Sequence, residues 1–188
     1  MILIYHVGHC YTGCMRRLSQ PEFESVLSNS SLKPRLKREL KFFKSAAHVS
    51  GAWEEYELLA ITDRTGDKGV LLLEPDNELF LVQYEISRRI IDYKTGRARA
   101  IICDFCYTWQ PGSNAASIVF MDAKTKHKVG FLCCGDLECS RHVRTLSKAA
   151  LVSRAQLREN ISNEDRVSRL KQRLQTKIDQ LGLSPVAV

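Results

Sequence analysis

Seven cysteines occur in this 188-residue chain, and four fall in two pairs: Cys103-x2-Cys106 and, after 27 intervening residues, Cys134-x4-Cys139. A thiolate is a soft anionic ligand. A Cys-x2-Cys turn sets two sulfurs about one zinc coordination edge apart, with backbone N–H groups aimed at them. Four thiolates close a tetrahedron and leave no position for water. The expected chemistry is therefore structural: one zinc ion held by Cys103, Cys106, Cys134 and Cys139. The competing use of Cys-x2-Cys is redox exchange, which belongs at a strand-to-helix turn of thioredoxin-like pattern; that pattern is absent here. Cys133 adjoins Cys134, and strand alternation points the two in opposite directions, so only one faces the metal. We assign Cys134 to the metal and Cys133 to the core. His127 is read as a turn residue and His142 as an exposed helix residue.

His6, His9, Cys10 and Cys14 invite a second metal site, but their spacing matches no common finger and lacks a partner pair. Residues 1–14 are read as a disordered or mis-assigned leader, with Met15 as the natural start. The chain has no Gly-rich phosphate loop, no HExxH, and no Ser or Cys nucleophile motif with an evident base. We therefore expect no catalysis and no small-molecule substrate.

The elements that must position the cysteines are legible around them. Ala116–Met121 and Lys128–Cys133 read as strands, joined by the polar run 122–127. Gly135-Asp136 permits a tight turn into a helix running toward Lys148, with Cys139 in its early turns. Knuckle, hairpin and helix make the layout of a treble-clef zinc finger. Upstream, 56–62, 69–73 and 78–86 are apolar runs separated by turn residues, an antiparallel meander, and 88–102 reads as one more strand, after the Lys94-Thr95-Gly96 turn. Pro21 opens a short helix through Leu27. Leu32, Leu36, Leu40 and Phe43 then form a helical stripe flanked by Lys and Arg, a basic amphipathic helix over about 34–44. At the far end Val167, Leu170, Leu174, Ile178 and Leu181 repeat at spacings of 3, 4, 4 and 3. Ser162 or Asn163 caps that helix and Gly182 stops it. Its opposite face carries Arg166, Arg169, Lys171, Arg173 and Lys177.

The fold class is thus α+β: a short N-terminal helical arm, an antiparallel sheet, a treble-clef zinc finger and a C-terminal helix. The expected organisation is a leader (1–14), a basic helical arm (15–50), the sheet with its zinc finger (51–150, zinc core 103–148) and a basic amphipathic helix (151–188).

Composition narrows the function classes. With 44% hydrophobic residues the chain is ordinary for a globular protein, not a disordered one. No apolar run approaches the ~20 residues needed to span a bilayer, and the apolar start is too short for a signal peptide. We expect a cytoplasmic protein, where paired cysteines serve metals more often than disulfides. The net charge is +7, unevenly spread: residues 15–50 carry +5, 51–87 carry −7 and 88–102 carry +4. That distribution favours a polyanion such as ribosomal RNA, or an acidic protein surface.

Residues 103–106 through Pro111-Gly112, then 134–140 (Cys-Gly-Asp-Leu-Glu-Cys-Ser) and Val143-Arg144, resemble the C-terminal treble-clef zinc finger of the elongation factor G-binding proteins, which include the FusB-type fusidic acid resistance proteins. The resemblance covers roughly 100–148, and the four cysteine ligands carry over onto Cys103, Cys106, Cys134 and Cys139. It implies a non-enzymatic binder of elongation factor G that helps release the factor from the ribosome, with a link to fusidic acid resistance. If such a module docks on a protein, aromatics and arginines beside the metal anchor it: Phe105 and Tyr107 on the knuckle, Arg141 and Arg144 on the following helix. The alternative is a nucleic-acid-binding zinc protein that lays its two basic helices on ribosomal RNA.

Overall fold

The strands β1 (Leu58–Thr62), β2 (Lys68–Leu73) and β3 (Phe80–Ser87) carry apolar residues on both sides, so both faces of their sheet must be covered. The structure, a computed structural model, describes residues 15–49, 53–157 and 159–186, without the side chains of 48, 76 and 155. The leader with His6, His9, Cys10 and Cys14 lies outside the described residues. The three strands form the expected meander, with Leu58 opposite Leu73 and Leu73 opposite Phe80. The chain then leaves the sheet to make a ribbon of β4 (Ile101–Ile102) and β5 (Trp109–Gln110). It returns as the hairpin β6 (Ala115–Met121) and β7 (Lys128–Cys134). The sheet order is β1-β2-β3-β6-β7, antiparallel throughout.

One face packs Leu58, Leu71, Leu73, Val82, Tyr84, Ile118 and Phe120 against the metal-ligating cysteines and the C-terminal helix. The other packs Leu59, Ile61, Val70 and Leu72 against Phe23, Val26, Leu27, Leu32 and Leu36 of the N-terminal arm. Neighbours in one strand thus serve opposite cores, as the pleat requires.

The arm consists of α1 (Gln20–Asn29), α2 (Pro34–Glu39) and α3 (Phe42–His48). Ser19 and Glu22 form a reciprocal capping box at the start of α1, with Pro21 in its first turn. The single basic helix expected over 34–44 is broken. Leu40 is extended, and the Lys41 N–H leaves the helical ladder to bond the Thr62 carbonyl of β1 at 2.9 Å. The break turns Phe42 inward, stacked on Phe23 at 4.6 Å, and leaves Phe43 73% exposed, the reverse of the expected stripe.

Two further expectations are corrected. Segment 88–102 is a loop closed by one bridge, Ile91 to Ala98, around a turn capped by Asp92, and only 101–102 form a strand. Gly112 is required where this loop returns, because a Cβ there would lie 2.5 Å from the Ala98 carbonyl oxygen. The helix expected to run toward Lys148 is two helices, α4 (Cys139–Val143) and α5 (Lys148–Leu157). Thr145 breaks it at φ +62°, while its hydroxyl bonds Asn163 at the start of α6 (Asn163–Leu181). In α6 the sequence pattern holds: Ser162 caps the start, Gly182 at φ +62° ends it, and Leu170, Leu174, Ile178 and Leu181 are buried. Each such side chain contributes about 1.5–3 kcal/mol when buried.

Candidate metal centre

The knuckle between β4 and β5 supplies Cys103 and Cys106, the end of β7 supplies Cys134, and the first turn of α4 supplies Cys139. The knuckle closes through Tyr107 N–H to Cys103 O and Cys103 N–H to Thr108 O, both at 3.0 Å. Tyr107 adopts φ +55° to complete the turn, and the Phe105 N–H points at the Cys103 sulfur at 3.4 Å.

All four sulfurs lie within 4.8 Å of one another, and all four residues are buried. The sulfurs of Cys106 and Cys134 are 3.5 Å apart; those of Cys103 and Cys139, and of Cys134 and Cys139, are 3.8 Å apart. A tetrahedron with Zn–S of about 2.3 Å has S···S edges of about 3.8 Å, so donor set and spacing fit one structural zinc ion. Burial pushes the Cys134 thiol up, as do the neighbouring sulfurs. Although burial opposes it, hydrogen bonds from Cys106, Cys134 and Cys139 hold the Cys103 thiol well below its ordinary range. A divalent cation removes that conflict by stabilising all four thiolates. Cys133 is buried outside the four-sulfur group, in the sheet core, where burial pushes its thiol up and keeps it neutral.

The surroundings hold these ligands through residues whose roles the sequence did not reveal. Asn114 and Asp136 exchange hydrogen bonds: Asn114 Nδ2 donates to Asp136 Oδ2 at 2.9 Å, and the Asp136 N–H donates to Asn114 Oδ1 at 3.1 Å. Asp136 Oδ1 also meets His142 Nε2 at 3.3 Å, and His142 Nδ1 meets Ser147 Oγ at 2.6 Å. His142 is therefore buried, 2% exposed, and not an exposed helix residue, because Asp136 and Ser147 satisfy both ring nitrogens. These contacts orient the Cys134–Cys139 turn.

Arg166 is the other surprise. Expected on the outer face of α6, it is 0% exposed. Its guanidinium nitrogens have no hydrogen-bond partner, and Glu159 lies 3.5 Å away. Burial pulls this guanidinium below its ordinary value, while Glu159 and Cys106 act to raise it. A four-thiolate zinc centre carries two net negative charges, and a buried cation within electrostatic reach of Cys106 fits that charge.

The four candidate contact residues separate. Phe105 is 0% exposed and stacks on Phe120 at 5.5 Å, so it is a core ring and offers no surface to a partner. Tyr107 is clasped by the Arg169 and Arg173 guanidiniums of α6, at 4.7 and 4.9 Å from its ring centre. Arg173 also donates to the Asp104 carbonyl at 3.0 Å, so α6 is strapped to the knuckle. Arg144 forms a two-pronged pair with buried Glu57, at 2.7 and 2.9 Å. Ser140 Oγ accepts the Glu57 N–H at 3.0 Å, so this latch ties the start of β1 to α4. Arg141 is half exposed and faces solvent beside Glu138. His127 lies exposed in the β6–β7 turn, as expected.

Among the described residues no helix is long and apolar enough to cross a membrane. A family model described as the FBP C-terminal treble-clef zinc-finger matches residues 30–181. The match reaches beyond the knuckle to include α2, the whole sheet and α6. No curated protein and no solved structure matches the chain.

Proposed function

The chain belongs to the FBP C-terminal treble-clef zinc-finger family, and on that premise we propose that it is a cytoplasmic, non-catalytic binding module for elongation factor G. Its contact modulates the release of the factor from the ribosome and connects it to fusidic acid resistance. The observation that carries the reading is the closed centre. Four buried cysteines fill a tetrahedral shell, so the metal would hold structure and leave recognition to the surface around it.

That surface suits a protein partner. Of the large apolar side chains exposed among the described residues, all but Phe43 lie between Ile91 and Val152, the part of the chain that carries the cysteines. Leu146, Leu151 and Val152, at 54%, 60% and 46% exposed, follow α4 and run onto α5. With half-exposed Arg141 nearby in sequence, they supply the apolar and guanidinium anchors that protein interfaces favour. Tyr107 and Arg144 act indirectly, by holding the knuckle and α4 in place.

The test is capture of the zinc-loaded protein on immobilised, purified elongation factor G. The wild type is expected to bind; Arg141→Ala and Leu151→Asp are expected to weaken binding about tenfold or more while zinc content stays at one ion per chain. Absence of binding at low salt, or equal binding by the variants, overturns the reading or its surface, respectively. Acceleration of factor release from fusidic acid-stalled ribosomes tests the finer step.

A further inference from the structure

The sheet face turned away from the metal centre holds a second surface. Its core is apolar under α1 and α2, but toward one end it becomes polar. Lys68 and Glu85 occupy one rung of this face and Gln83, Met121 and Lys128 the next, a staggered row across β2, β3, β6 and β7. At about 4.8 Å per strand the row is roughly 14 Å wide. Helix α2, the β1–β2 turn and the β6–β7 turn wall it into a groove of about 1040 Å³. A second hollow, about 580 Å³, adjoins it and shares Arg38, Lys41, Asp63 and Arg64.

The charge in this tract is one-sided. Its carboxylates are engaged: Glu39 by Arg35, Glu85 by Lys68, Asp63 by its own turn, and Glu24 by Gln20. Lys33, Arg38, Lys41, Arg64 and Lys128 line the groove without an ion-pair partner among the described residues, and Lys44 extends the tract into the second hollow. Phe43 lines that hollow with its ring 73% exposed, where the break at Leu40 has put it.

We propose that this tract binds single-stranded nucleic acid, its lysines and arginines following the phosphodiester backbone and Phe43 stacking on a base. Polar Ser31, Thr65 and Gln83 line the groove among the cations, and Leu36, Met121 and Ala123 are its apolar residues. A protein partner would want an apolar centre, whereas a tract of unpaired cations beside one exposed aromatic suits a linear polyanion with π-faces. The surface is separate from the one assigned to elongation factor G, so either assignment can fail without the other.

The experiment is fluorescence anisotropy of a labelled, mixed-sequence 12-nucleotide RNA with the full-length zinc-loaded protein, as a function of salt. Engagement of four to six phosphates predicts a slope of log K against log salt of about −3 to −4. Arg38→Glu with Lys41→Glu is expected to lower affinity at least tenfold, Lys128→Gln about threefold, and Phe43→Ala about fivefold or more. Arg141→Ala is expected to leave it unchanged. Thermal melting and zinc content confirm that each variant is folded; Lys128→Gln, a surface change, keeps the test valid if a charge reversal misfolds. The proposal is overturned by no binding at low salt, by groove variants that bind as the wild type does, or by polyglutamate of equal charge competing as well as RNA.

Discussion

The two faces of the sheet are built on different physics. The metal-side face gathers four cysteine sulfurs, a partly buried Arg144–Glu57 pair, a fully buried Arg166 and a tyrosine clasped by two guanidiniums. The arm-side face is covered by three short helices whose contacts are mainly apolar, with their charges left in water. On the first face a few strong polar links fix geometry, and losing any one leaves a buried charge or an empty ligand position. On the second, stability is spread over many small burials, so its rim is free to carry charge for another purpose. Order is concentrated where the surface must stay fixed, and tolerance lies where the surface is electrostatic.

Removing zinc has the largest expected effect, since structural zinc sites contribute about 10–16 kcal/mol of apparent binding free energy. Amide exchange after chelation should show lost protection in the knuckle, α4 and α6. If those segments stay protected in metal-free protein, the metal-side face does not depend on its ion. Cys133→Ala should keep one zinc per chain, while Cys134→Ser should lose it; the reverse would exchange the two assignments.

Arg144→Ala comes next. It strands Glu57, which is 5% exposed, and should cost about 3–5 kcal/mol in denaturant unfolding. Changing Glu57→Gln in the same chain should recover part of that loss, because the orphan charge is then gone. A loss below about 1 kcal/mol would mean the latch is a surface pair. On the arm-side face, Leu36→Ala should cost about 2–5 kcal/mol, yet leave zinc content unchanged in the folded fraction. The smallest effect belongs to the rim. Lys128→Gln should shift stability by less than about 0.5 kcal/mol, whatever it does to nucleic-acid binding.

The division of labour was only partly visible in the sequence. The cysteine pairs, the hairpin between them and the capped helix α6 were legible because each is a local pattern: fixed spacing, period-two strands, a period-3.6 stripe ended by Gly182. The break at Leu40–Lys41 was not, because its cause is a bond to Thr62, which is distant in sequence. The pairing of Arg144 and the burial of His142 and Arg166 were hidden for a related reason. Their side chains read as surface residues by type, and nothing local announces Glu57, Asp136 and Ser147 as partners, or the full burial of Arg166. The segment 88–102 read as a strand after the turn at 94–96, yet its Ile91 and Ile102 are exposed, at 52% and 39%, with no neighbouring strand of the main sheet to cover them.

On this reading a closed, four-sulfur zinc centre organises the metal-side face and leaves recognition to its surface. X-ray absorption at the zinc edge of the native protein tests it most directly. One zinc per chain is expected, with four sulfur neighbours at about 2.3 Å and no nitrogen or oxygen in the shell. A second ion, or a shell containing a histidine nitrogen or a water oxygen, would contradict it.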